Sequence, residues 1–330
     1  MKRFFKWLLG IVALLLVVSL AIGYTPDTDP AEMKAKYGGS TSQFLTLAPG
    51  LIVHVRDEGK RDGPALVLIH GSNSSLHTWV PWVKRLGGQY RIISLDLPGH
   101  GLTGRHPSGD YDYPIFVAVV DQVLVKLGIS RAVIAGNSMG GGVTWMYALT
   151  HPEKVEAMIL VDAAGAPRWE ARKAPIGFRI ARMPVLRNLA RIITPRSMVE
   201  SSLQTSVSVK SVVTPAAVDR YWELLRYPGN RTATVKRFSY AHNHHPATND
   251  MLAALKIPTL VLWGEEDNLI PVKSAKWFAE AIPGSILIIY PKVGHLPMEE
   301  VADQSASDVA GFLKSLKSLR SPKPAQGFSR

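Results

Sequence analysis

The sequence predicts an α/β fold: a mostly parallel, eight-stranded twisted sheet with helices on both faces and an inserted helical lid. Three observations carry this expectation. Six short runs rich in β-branched residues lack strict apolar–polar alternation, as strands buried on both faces do. Helical stretches fall between them, and β–α alternation implies a parallel sheet. From about Pro167 to Pro246 the alternation gives way to helix-like patterning with no convincing strand.

The N-terminal segment Met1–Tyr24 begins with Lys2, Arg3 and Lys6 and continues through 18 uncharged residues, Trp7 to Tyr24. As a helix this spans roughly 27 Å, close to the hydrocarbon thickness of a bilayer. Apart from Ser19 it is apolar all round, so it reads as a membrane-targeting segment rather than a core helix. It is longer than an ordinary signal-peptide core. That favours an uncleaved anchor over cleavage near Ser19–Ala21. The basic flank is expected in the cytoplasm, with the rest of the chain on the far side of the membrane. That side is the periplasm in a Gram-negative cell; a cleaved segment would give a secreted protein. Residues 25–42, with Pro26, Pro30, Gly38 and Gly39, read as a linker.

The core is expected over 43–166 and 248–318, the lid over 167–247 and a flexible tail over 319–330. The first core part opens with a hairpin, Phe44–Leu47 and Leu51–Arg56, turning at Pro49-Gly50. The buried strands follow at Ala65–Ile69, Arg91–Leu95, Ala132–Ala135, Ala157–Val161, Thr259–Trp263 and Ile286–Tyr290. Phe116–Leu127 and Met139–Thr150 are helical. Within the lid, Val185, Leu186, Leu189, Ile192 and Ile193 form an apolar stripe.

Composition narrows the function classes. The chain is 46% apolar and 19% charged, which excludes wholesale disorder. It has no Cys, which excludes disulfides, thiol catalysis and thiolate metal sites. The net charge is +12, and residues 166–250 carry 14 Lys and Arg against 5 Asp and Glu, a net of +9. No basic helix carries base-reading residues, so nucleic acid is not an expected partner. The basic lid, on a chain tethered to a membrane, is a candidate for contact with anionic headgroups.

Chemistry is concentrated at Gly136-Asn137-Ser138-Met139-Gly140, which joins a strand to a helix. A G-x-S-x-G turn of this kind presents its Ser hydroxyl above the sheet edge, and its small neighbours allow close packing. The following helix N-terminus faces any negative charge that develops there.

With these residues in place, the chain from about 43 to 318 resembles the α/β-hydrolase fold superfamily, in its serine hydrolase, esterase- and lipase-like branch. His70-Gly71-Ser72-Asn73 is similar to the family's oxyanion loop. Leu95-Asp96-Leu97-Pro98-Gly99-His100-Gly101 is similar to the loop that follows. Gly264-Glu265-Glu266-Asp267 before Ile270-Pro271 resembles the acid turn, and Val293-Gly294-His295-Leu296-Pro297 the histidine loop. The resemblance implies a triad of Ser138, Asp267 and His295, in the fold's order. It also implies an oxyanion hole made by the backbone N–H groups of Ser72 and Met139. No metal and no organic cofactor are implied.

Rival acids are Glu265, Glu266 and Asp162, the last at a strand end where some family members place theirs. His70 and His100 read as structural turn residues. His242, His244 and His245 lack the converging partners a metal site needs. Because the elbow carries Ser rather than Asp, epoxide and haloalkane hydrolysis are not expected. The expected reaction is cleavage of a small-molecule or lipid ester through an acyl-enzyme. The alternatives are carbon–carbon bond hydrolysis, as in meta-cleavage product hydrolases, and perhydrolase or acyltransferase chemistry. Leu296-Pro297 departs from the aromatic residue those carbon–carbon hydrolases carry after the histidine. An intact triad argues against a non-catalytic binding protein.

Overall fold

A computed structural model describes residues 23–167, 175–183, 186–239 and 246–320, with single positions at 4, 7 and 10. Most of the expected membrane segment, His242, His244 and His245, and residues 321–330 of the tail lie outside the described residues. Among the described residues, no helix is long and apolar enough to cross a membrane.

Eight strands form one sheet: β1 (Ser42–Leu47), β2 (Leu51–Gly59), β3 (Ala65–Ile69), β4 (Arg91–Leu95), β5 (Ala132–Asn137), β6 (Val155–Val161), β7 (Thr259–Gly264) and β8 (Ile286–Tyr290). Their spatial order is β1-β2-β4-β3-β5-β6-β7-β8. The β1–β2 and β2–β4 pairings are antiparallel and the others parallel. The missing alternation in the strand sequences now has its cause: successive residues feed two separate apolar layers. Val67 and Ile69 pack on one face, Leu66 and Leu68 on the other. All four are fully buried. Each such side chain stabilises the fold by about 1.5–3 kcal/mol.

The helices, in chain order, begin with α1 (Pro30–Tyr37), α2 (Val80–Leu86), α3 (Tyr113–Lys126) and α4 (Met139–Thr150). The lid contributes α5 (Ile176–Arg182), α6 (Leu186–Leu189), α7 (Arg196–Ser206), α8 (Pro215–Leu225) and α9 (Asn230–Ser239). The chain then returns through α10 (Asn249–Ala253), α11 (Lys273–Ala281), α12 (Pro297–Glu300) and α13 (Ala302–Arg320). Residues of α3, α4 and α11 pack in one layer, and those of α2 and α13 in the other. Helix starts follow local chemistry. Asp112 accepts from the Ile115 N–H ahead of α3, and Thr214 from the Ala217 N–H ahead of α8, each with Pro in the first turn.

The stretch 25–42 differs from the expected linker. Asp29 caps α1 by accepting from the N–H groups of Ala31 and Glu32, and Pro30 opens the helix. The segment straps the lid to the core. The Thr25 N–H donates to the Ile192 carbonyl at 2.8 Å and that of Thr28 to the Arg226 carbonyl at 3.0 Å. Arg231 pairs with Asp27 at 2.6 Å and Lys36 with Glu223 at 2.7 Å. Met33 is buried against Leu102, Leu224 and Tyr227. Pro and Gly, read alone, suggested an open connection. Pro here starts a helix, and the lid partners that order the segment lie 167 to 204 residues away.

Candidate active site

Ser138 sits between β5 and α4 with φ 55° and ψ −119°, a left-handed conformation rarely adopted by a side-chain-bearing residue. The surroundings hold it there. Its N–H donates to the Val161 carbonyl at 2.9 Å, and its carbonyl accepts from the N–H groups of Ala164 and Gly142. The flanking glycines are forced by contact. A Cβ on Gly136 would meet the Gly140 carbonyl oxygen at 2.1 Å, and one on Gly140 would meet the Ile69 carbonyl oxygen at 2.2 Å.

Asp267, on the turn after β7, and His295, on the loop after β8, come together. His295 Nδ1–H donates to Asp267 Oδ2 at 2.7 Å, with both side chains buried. Asp267 Oδ1 accepts from the N–H groups of Leu269 at 2.7 Å and Ile270 at 3.1 Å, which fixes the carboxylate. His295 Nε2 is buried and makes no hydrogen bond, and it borders the same pocket as Ser138. The backbone N–H groups of Ser72 and Met139 likewise make no hydrogen bond among the described residues. All five residues singled out by sequence are therefore placed around one end of the sheet.

Of the rival acids, Glu265 and Glu266 are exposed. Asp162 lies at the site but in another state. It is fully buried, and its Oδ1 accepts from the Gly264 N–H at 3.0 Å. Burial, and then the charge of Asp267, hold its carboxyl well above the usual carboxylate range. Ligand atoms of Asp162, Asp267 and His295 lie within 4.8 Å of one another. A cation there would need Asp162 ionised, which its burial opposes, and would compete for the His295–Asp267 bond.

The other motif residues are structural. His70 Nε2 accepts from the Leu97 N–H at 3.0 Å, and the His70 and His100 rings pack 4.8 Å apart. Asp96 accepts from the N–H groups of Leu76 and Leu102 and pairs with His54 at 2.7 Å. His54 also lies 2.7 Å from Ser42 Oγ, giving a second Ser–His–Asp alignment. Ser42 Oγ, however, donates to the Gly38 carbonyl, and the set ties α1 to the sheet edge.

Sequence reading missed Glu300. Its Oε2 accepts from the N–H groups of Ser208, Val209 and Gly294 at 2.8 to 2.9 Å, and its Oε1 from that of Leu296 at 3.0 Å. One carboxylate thus holds both neighbours of His295 and the end of the α7 segment. A Glu five residues past the histidine on a short helix was the available signal. Its partners were not readable from the sequence.

The pocket over Ser138 and His295 is a narrow cavity of about 90 Å³ roofed by the lid. Met198, Val199, Leu203, Leu225, Leu269 and Leu296 make it apolar, and Tyr221 adds a hydroxyl. No Lys or Arg lines it among the described residues. Three of the lid's basic side chains are paired: Arg196 with Asp219, Arg220 with Glu299 and Arg231 with Asp27.

A profile of the family described as alpha/beta hydrolase fold matches residues 64–301. The chain is 28% identical over 272 residues to 2-hydroxymuconate semialdehyde hydrolase of Pseudomonas sp. (strain CF600), covering 81% of this chain and 92% of that protein. It is 26% identical over 317 residues to Lipase 3 of Moraxella sp. (strain TA144), covering 94% and 98%. Among solved structures, a bacterial membrane phospholipase A superposes with a TM-score of 0.70 at 26% identity, covering 96% of this chain and 99% of that one.

Proposed function

The chain belongs to the alpha/beta hydrolase fold family, and on that premise we propose that it is a serine hydrolase that cleaves carboxylic esters. Ser138 Oγ attacks the ester carbonyl carbon while His295 Nε2 takes its proton. Asp267, bonded to Nδ1–H, orients the ring and stabilises the imidazolium. The tetrahedral oxyanion accepts from the backbone N–H groups of Ser72 and Met139. Losing one such donor costs about 3 kcal/mol of barrier. His295 then gives the proton to the departing alcohol, leaving an acyl ester on Ser138. Water, deprotonated by His295, attacks that ester and releases the acid.

The observation that carries the ester reading over carbon–carbon hydrolysis is the lining of the pocket. The relatives' dienoate-type substrates bear carboxylates, and a buried apolar pocket with no Lys or Arg among its described lining residues leaves such a charge unpaired. An acyl chain meets no such penalty there.

The membrane is the second part of the proposal. The uncharged run to Tyr24 leads directly to Thr25, which is bonded to Ile192 on the lid. Ile176, Met183, Leu186, Leu189 and Ile192 are exposed around this point, as are Arg179 and Arg191. That mixture suits a bilayer surface with anionic headgroups. The domain would then lie outside the cytoplasm, acting on small-molecule or lipid esters.

The test is turnover of p-nitrophenyl esters, acetyl to palmitoyl, by the full chain in detergent. Ser138→Ala serves as the blank. Turnover should vanish in Ser138→Ala and His295→Ala, and fall by roughly three to four orders of magnitude in Asp267→Asn. Inactivity on every ester with turnover of a ring-fission dienoate would replace this reading with carbon–carbon hydrolysis. Normal turnover in any of the three variants would overturn that residue's role.

A further inference from the structure

Two side chains of the lid helix α9, three positions apart and so on one face, reach the loop after β3. Thr234 Oγ1 donates to Asn73 Oδ1 at 2.8 Å, and Arg237 Nη2 donates to the same oxygen at 2.9 Å. Arg237 Nη1 donates to Ser72 Oγ at 2.7 Å and lies 3.3 Å from Met139 Sδ. Ser72 Oγ also lies 3.3 Å from that sulfur, toward which it donates. One guanidinium therefore touches the side chains of both residues whose backbone N–H groups are the candidate oxyanion donors. It also braces Asn73, which is held at φ 58°, the left-handed region.

The charge on this group is out of place for a purely structural clamp. No carboxylate pairs with Arg237 among the described residues, and Nε has no partner. Burial lowers its pKa to about 10, so it stays charged at neutral pH. A buried cation without a counter-charge is costly, and neutral acceptors offset only part of that cost. The missing negative charge would arise in the transition state, as the oxyanion. A fixed positive charge in contact with the side chains of both donor residues, and itself buried, favours that oxyanion with little screening.

We propose that Arg237 is a positioning residue of the oxyanion hole, delivered by the lid: it sets the Ser72 and Met139 donors through their side chains and supplies a standing positive charge for the oxyanion that develops only on reaction. The lid then does more than roof the pocket, because displacing α9 withdraws part of the oxyanion site. This rests on the ester-hydrolase reading for its substrate alone.

The experiment compares wild type with Arg237→Met and Arg237→Lys, using a p-nitrophenyl ester and phenylboronic acid, which forms a tetrahedral anionic adduct on an active serine. Arg237→Met should lower kcat roughly tenfold to a hundredfold with KM within about twofold, and weaken the boronate by a similar factor. Arg237→Lys, which keeps charge but loses the fork, should fall between. Guanidinium added to Arg237→Ala should restore part of kcat. A kcat and boronate affinity within about twofold of wild type in Arg237→Lys and Arg237→Met would overturn the proposal. So would a loss confined to KM. If Arg237→Met does not fold, Arg237→Lys alone decides by the same criteria. A wild type that turns over no ester marks failure of the ester reading instead. The rate of fluorophosphonate labelling of Ser138 then replaces kcat in the same comparison.

Discussion

Replacing Glu300 by Gln removes a charge and one acceptor while keeping the shape of the side chain. In the folded protein Glu300 is 8% exposed and accepts four backbone N–H bonds, three at Oε2 and one at Oε1. A Gln amide keeps the larger set only by placing its oxygen at the Oε2 position. Its NH2 group then faces the Leu296 N–H, donor against donor. One buried N–H left unpaired costs about 1–3 kcal/mol, and the three remaining bonds lose their ionic character. The expected loss of stability is about 2–4 kcal/mol, which lowers the thermal midpoint by roughly 3–6 °C in a chain of this size. Because Gly294 and Leu296 flank His295, turnover should fall even at temperatures where the variant is fully folded. Urea titration gives the first quantity, and ester turnover at 15 °C the second. A midpoint within about 1 °C of wild type together with unchanged turnover would refute the claim that this carboxylate holds the histidine loop.

Two further predictions follow from the same structure. Gly140→Ala should prevent folding or abolish turnover, because its Cβ would press on the Ile69 and His70 carbonyl oxygens at 2.2 and 2.6 Å, backbone atoms of the sheet that cannot rotate away; soluble expression and ester turnover together check it, and a wild-type enzyme would contradict the close approach. Stability should also fall on mild acidification. His70, His77 and His100 are buried and their pKa values are lowered by that burial, His77 to about 4. The unfolded chain binds protons near pH 6.5 while the folded one does not, so this contribution is complete above that pH and is lost as the pH falls toward 4. His77 alone accounts for about 3 kcal/mol. A thermal midpoint that stays flat from pH 7 to pH 4.5 would contradict it.

The fold class was legible because its signals are local. Buried strands read as β-branched runs, and Met139–Thr150 reads as a helix because the turn that starts it, Gly136 to Gly140, is contiguous in the chain. The candidates Ser138, Asp267 and His295 were legible for a related reason: each lies just past a strand, where the fold exposes loop residues to one end of the sheet. The sequence likewise set the order of elements, the position of the elbow and the uncharged N-terminal run.

Only the tertiary structure decided which groups meet. Asp162 and Asp267 both follow strands and both are buried, and their partners separate them: the carboxyl of Asp162 is pushed toward its neutral form beside Asp267, which bonds His295. The strap at 25–42 looked like a linker because its partners, Ile192, Glu223, Arg226 and Arg231, carry no local mark. Glu300 and Arg237 were invisible for the same reason. Hydrogen bonds to backbone 90 residues away, or from a lid helix to a loop some 165 residues distant, leave no periodicity in the chain. Local propensity and hydrophobic pattern act through neighbours in sequence, whereas burial, charge state and long-range pairing exist only once the chain has closed on itself.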